Sequence, residues 1–272
     1  MNWGRVSFFQ KRKRFFLEKE AKTFVCLVGF IACSVPALAA PVSPVPAVVC
    51  PSSDAGGDAV EMPHLAAALQ PGGMLALLAI GTVNAPEPAA GATPAAPSGL
   101  PWQVARALEA AVHGLHVSVT ALGGHGLTAG QMLDRLRAEL PRKAYRLVLW
   151  QTGTVEAVGD MPPEDFYQSL ADGAAAAQAA GADLVLIDPQ YSRFLEGNAN
   201  LAPYFQALQA AGTLPGVMLF HRFDTMHDWV AAGTFDLEHT ARADRPAVAA
   251  RPPLGARATA PQTWGKTSRT LT

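Results

Sequence analysis

The apolar run Leu147-Val-Leu-Trp150 leads through Gln151 and Thr152 into Gly153-Thr-Val-Glu156. Such a run reads as a short strand, and the glycine reads as the turn that ends it. In an open parallel α/β sheet, ligands and chemistry collect at the carboxyl ends of strands. This turn therefore marks a site. A second turn, Leu122-Gly-Gly-His-Gly-Leu-Thr128, precedes a helical segment. Glycines there expose backbone N–H groups, which suits an anion. A third segment, Asp188 to Asn200, leaves another strand on the same rim. Its Gln190, Tyr191, Arg193 and Asn198 supply aromatic and hydrogen-bonding groups suited to a sugar or another polar ligand. A solvated loop with a helix cap at Asn200 is the alternative. The histidines show no metal-site spacing: His113-Gly-Leu-His116 is a pair, and zinc sites need three or four protein ligands. No metal or cofactor is expected.

The elements that must hold these turns follow from hydrophobic periodicity. Met74–Ile80, Leu115–Leu122, Tyr145–Gln151, Asp183–Asp188 and Val217–Phe220 read as strands. Met74–Ile80 is continuously apolar, as a strand covered on both faces must be. Trp102–Val112, Thr128–Leu140, Pro163–Ala180, Leu201–Ala211 and Asp224–Ala232 read as helices, with Thr128 as a cap. Strands alternating with helices of this length imply a parallel sheet with right-handed crossovers.

The chain has 272 residues and a formal net charge of −1, with 16% charged residues. No global field recruits nucleic acid or an anionic membrane. Lys11-Arg-Lys-Arg14, the apolar run Phe24–Cys33 and Ala37-Leu-Ala39 have the order of a secretory signal. The apolar run is too short to span a bilayer comfortably, although an uncleaved anchor remains the alternative. Residues 1–39 are thus read as a signal, leaving no stable membrane span after cleavage and a periplasmic or secreted chain. Cys26 and Cys33 leave with it, so Cys50 has no internal disulfide partner. Residues 40–73, rich in Pro, Ala and Gly, read as a linker. Residues 74–240 form the folded domain. After Ala241 come six basic residues, one acidic residue and little that is apolar, so residues 241–272 read as a disordered basic tail.

From Met74 to His239, the order of the turns resembles that of the SGNH (GDSL) hydrolases. The family's first block, Gly-Asp-Ser, carries the nucleophilic serine after the first strand. Ile80-Gly-Thr-Val-Asn84 stands in that place, with Gly81 matching and Val83 at the serine position. Valine has no nucleophilic atom, so Thr82 serves only if the register slips by one residue. Gly126 matches the second block's oxyanion glycine. The third block, Gly-x-Asn-Asp, is met by Gly153, with Val155 and Glu156 replacing its last two residues. Losing an oxyanion donor such as that asparagine costs about 2.7–4 kcal/mol of transition-state stabilisation. The fifth block, Asp-x-x-His, matches Asp236-Leu-Glu-His239. Asp224-Thr-Met-His227 has the same spacing but lies closer to the strand.

The resemblance implies a three-layer α/β sandwich with a five-stranded parallel sheet, of the flavodoxin-like SGNH type. It also implies a small-molecule or glycan ester as ligand. Three functional readings stay open. One is a binding or accessory domain whose esterase activity is lost or impaired. Another is an active esterase or acyltransferase using Thr82 with Asp236 and His239, and Gly126 and Gly153 at the oxyanion. The third is an interaction module displayed on a mobile arm.

Overall fold

The computed structural model describes residues 60–81, 99–123 and 126–233. Five parallel strands form one sheet: β1 Met74–Gly81, β2 His116–Gly123, β3 Leu147–Gln151, β4 Asp183–Ile187 and β5 Val217–Phe220, in the order β2-β1-β3-β4-β5. The expected fold class is therefore the observed one. The described helices are α1 Pro63–Ala68, α2 Leu100–Ala111, α3 Ala129–Glu139, α4 Thr154–Val158, α5 Pro163–Ala179, α6 Arg193–Asn198, α7 Ala202–Gly212 and α8 Arg222–Ala231. Connections after β1 run toward one edge of the sheet and those after β2 toward the other. Right-handed crossovers then place α2 on one face and α3, α5 and α7 side by side on the other.

Burial follows strand position. Leu77, Leu78, Leu147, Val148, Leu184 and Val185 in the three central strands are completely buried. Each large aliphatic side chain so placed contributes about 1.5–3 kcal/mol relative to exposure. Along these three strands, only Met74, at the open start of β1, is exposed. Helix α5 approaches the sheet closely because Gly173 lies against the Trp150 ring, where a Cβ would collide with the indole. Thr128 caps α3 as expected, in a reciprocal box: its Oγ1 accepts from Gln131 N at 3.3 Å, and Gln131 Oε1 accepts from Thr128 N at 3.0 Å.

The edge strand β2 is half-exposed along its length. At one end Val117 N donates to Glu109 Oε1 at 2.8 Å. At the other, Arg135 Nη1 donates to the Gly123 carbonyl at 2.9 Å.

Two expectations need correction. Residues 60–73 were expected to be linker, yet they contain α1, with Met62, Leu65 and Leu69 buried in the core. Leu65 N donates to the buried Asp183 Oδ2 at 2.8 Å, which ties the segment to the start of β4. Residues at i, i+3 and i+7 form one helical face, and burying that face outweighs the Pro- and Gly-rich composition. The polar stretch after Asp188 was expected to be a loop, yet it contains α6. Ser192 caps this helix by accepting from Leu195 N at 3.1 Å, and Leu195 anchors it. The expected signal (1–39), the rest of the linker and the basic tail (241–272) lie outside the described residues.

Candidate active site

The strand order reverses between β1 and β3, which is where ligands bind in sheets of this kind. Two glycines let the backbone pass there. Gly81 ends β1 at φ +114°, and a Cβ on it would collide with the Gln151 carbonyl at the end of β3. Gly153 turns the chain at φ +97° and starts α4.

Glu156, three residues on, is buried at 2% exposure. Its Oε2 accepts from Gly153 N at 3.2 Å, and its Oε1 accepts from Ala129 N at 2.5 Å. Ala129 is the first residue of α3, whose amino terminus carries a partial positive charge that favours a carboxylate. One side chain thus joins the turn after β3 to the turn that enters α3. Beside it lies a small cleft, open to the surface, with room for about one water. Leu127 and Met132 line it from α3 and its approach, Gly126 from the turn, and Gln151 to Glu156 from the end of β3. Thr152 is 5% exposed, and its Oγ1 has no hydrogen-bond partner.

The ends of β4 and β5 are built differently. Asp188, just past β4, is buried and accepts from Phe223 N at 2.8 Å, near the start of α8. Burial pushes its carboxyl well above the ordinary 3.8. Asp224 adds to the rise, while the Phe223 amide and Arg222 oppose it. His221 Nδ1 lies 4.0 Å from Asp188 Oδ2 and 3.9 Å from Asp224 Oδ2. Arg222 is completely buried and donates to Gln190 Oε1 at 3.4 Å. Among the described residues, no group of three or more His, Cys, Asp or Glu is arranged to hold a metal ion.

The sequence-expected residues separate into groups. Thr82, Asp236 and His239 lie outside the described residues. Gly126, at φ +77°, and Gly153 line the same cleft, but the Gly153 amide already donates to Glu156. It is therefore not a vacant oxyanion donor.

Of the polar groups expected to form a surface from Gln190 to Asn198, Arg193 and Asn198 are exposed and Gln190 is half-buried, but Tyr191 is not on the surface. Tyr191 is 4% exposed, so its ring cannot stack on a sugar. It packs edge-on against Phe223 and His227, each at 5.2 Å, and its hydroxyl reaches Glu196 at 3.2 Å. Burying an aromatic ring is more favourable than leaving it in a polar loop. Gln190 is half-buried against Arg222. Arg193 is exposed, and Asn198 Nδ2 donates to the Phe194 carbonyl of its own helix at 2.8 Å. His227 lies 3.5 Å from its neighbour Asp228, while Asp224 lies beside His221, so the Asp224–His227 spacing yields no pair.

Thr152, Asp188, Arg222 and His221 had no role in the sequence reading. Asp188 and Thr152, each directly after a buried strand, carried the positional signal.

Residues 49–251 match the Non-GDSL lipase-like family, and the chain belongs to it. The lipase-like kinship expected from the blocks holds at this level. Solved structures similar to the chain include TesA, at 21% identity over 63% of this chain and 89% of that one, TM-score 0.42. AlinE4, an SGNH-hydrolase family esterase, is similar at 16% identity over 62% and 86%, TM-score 0.45. The lipase/acylhydrolase from Enterococcus faecalis is similar at 16% identity over 57% and 80%, TM-score 0.44. No curated protein matches the chain.

Proposed function

We propose that the protein is an exported member of its lipase-like family in which ester hydrolysis is lost or impaired. On this reading the rim at the ends of β1 and β3 binds a small-molecule or glycan ester. The observation that carries the proposal is Val83 at the family's serine position, which supplies no nucleophile. Val155 supplies no side-chain donor at the third block. The Gly153 amide already donates to the buried Glu156 carboxylate, so it is not free for an oxyanion. Export rests on the basic, apolar and small-residue order of the first 39 residues.

The test is hydrolysis of p-nitrophenyl acetate by the purified protein, with no turnover above buffer expected. Robust turnover abolished by Thr82→Ala would establish instead an enzyme that uses Thr82 with Asp236 and His239. For export, mass spectrometry of the periplasmic or secreted protein should find a first residue near Ala40. An intact amino terminus in the cytoplasm would sink that part.

A further inference from the structure

Strand β2 closes one side of the sheet, and its outer backbone can be placed residue by residue. His116 N donates to the Gly73 carbonyl at 3.0 Å, so His116 and every second residue after it turn their backbone groups toward β1. Val117, Val119, Ala121 and Gly123 therefore turn theirs outward. Val117 N is taken by Glu109 Oε1 at 2.8 Å, and the Gly123 carbonyl by Arg135 Nη1 at 2.9 Å. Among the described residues, nothing pairs with the outer groups of Val119 and Ala121 between them. The two faces beside this gap differ. On one, Lys143 Nζ donates to Ser118 Oγ at 2.7 Å, and the Tyr145 hydroxyl meets Thr120 Oγ1 at 3.0 Å. On the other, Val117 and Val119 are half-buried against the core.

We propose that this edge binds a short extended peptide with free termini, laid parallel to β2. A parallel peptide runs from the Val117 end to the Gly123 end, so its ammonium arrives at Glu109 and its carboxylate at Arg135. The charges match at both ends in that direction and clash in the antiparallel one. Pairing from the Val117 carbonyl to Gly123 N takes about five residues. A longer chain must displace Glu109 or Arg135. Alternate side chains of the peptide go to opposite faces. The first and third lie beside Ser118 and Thr120, where Lys143 favours an acidic first residue. The second and fourth lie beside Val119 and Ala121, which favour aliphatic ones. Backbone pairing supplies the affinity, and these positions supply the specificity. The β2 edge is separate from the rim of β1 and β3, so this role stands whether or not an ester binds there.

The probe is the peptide Asp-Val-Thr-Val-Leu with free termini, titrated into the purified protein by calorimetry and followed by amide hydrogen exchange. Saturable binding with slowed exchange at Val119 and Ala121 is expected. Acetylating its amino terminus or amidating its carboxyl terminus should weaken binding roughly two- to fivefold each, the scale of one exposed ion pair. Glu109→Gln keeps an acceptor for Val117 N. It should weaken the free peptide by the same factor and leave the acetylated peptide unchanged. Val119→Pro removes the outer N–H without touching the pairing with β1, a place where edge strands tolerate proline, and should abolish binding. Absence of binding overturns the proposal, as does binding without protection of the Val119 and Ala121 amides. So does equal affinity for the doubly capped peptide. Protection of the same amides without peptide, rising with protein concentration, would assign the edge to a second copy of the chain and overturn the proposal too. Should Val119→Pro not fold, the capped peptides and Glu109→Gln still decide.

Discussion

Two stretches of the same rim solve one problem in opposite ways. At the ends of β1 and β3 the chain passes on glycine, the backbones nearly touch, and Glu156 ties two turns beside an open cleft. At the ends of β4 and β5 the space is filled by side chains: Asp188, Arg222, Tyr191 and Phe223 are all buried. Both stretches use a buried carboxylate to accept a backbone amide from the start of a distant helix, Ala129 N in one case and Phe223 N in the other. The difference lies in what surrounds the carboxylate. Asp188 lies in a stretch filled by buried side chains, whereas Glu156 forms part of a cleft wall. A buried acid at a strand end therefore marks a tie between elements. Only the free volume beside it makes it a site.

The contrast can be broken most directly at Gly81. Gly81→Ala combines an unfavourable φ with a backbone collision at Gln151, so it should cost about 3 kcal/mol or more in urea unfolding. Gly126→Ala, with nothing within 4 Å of the new Cβ, should cost about 1 kcal/mol. Equal costs would mean that the close approach of β1 and β3 is not structural. Next comes Glu156→Ala. It leaves the Gly153 and Ala129 amides without their acceptor and should lower stability by about 2–4 kcal/mol. A loss below 1 kcal/mol would show that water replaces the carboxylate.

Asp188 should respond differently. A native carboxyl that holds its proton more tightly than the unfolded chain makes stability fall as pH rises from 3.8 toward the raised native value. Asp188→Asn keeps an acceptor for Phe223 N and removes the titration. Its unfolding free energy should be close to the parent's below pH 3.8 and exceed it at neutral pH, with a flatter profile above pH 3.8. A mutant with the same slope as the parent would assign the pH dependence elsewhere. Arg193→Ala, on an exposed helix, should have the smallest effect, within about 0.5 kcal/mol in the same assay.

The sheet was legible in the sequence because β1, β3, β4 and β5 are nearly unbroken apolar runs that only double-sided burial explains. The Thr128 cap was legible because Gln131 follows three residues later. Other features depend on tertiary contacts that no local pattern records. Tyr191 sits among polar residues, and the rings of Phe223 and His227, thirty-two and thirty-six positions downstream, give it a buried place. Helix α6 is six residues long and contains Gly197, so it has too little periodicity to stand out. Helix α1 did carry a signal in Met62, Leu65 and Leu69, which the Pro- and Gly-rich composition around it obscured. Glu156 could be aligned by position, but its bond to Ala129, twenty-seven residues earlier, depends on how α3 docks.

The guarded edge of β2 has a consequence for crowded surroundings. An open strand is a template on which a second copy can lay its own backbone, and repetition of that step yields fibrils. Any such incoming strand must dislodge Glu109 from Val117 N at one end and Arg135 from the Gly123 carbonyl at the other. The two side chains act as stoppers at the two ends of that edge.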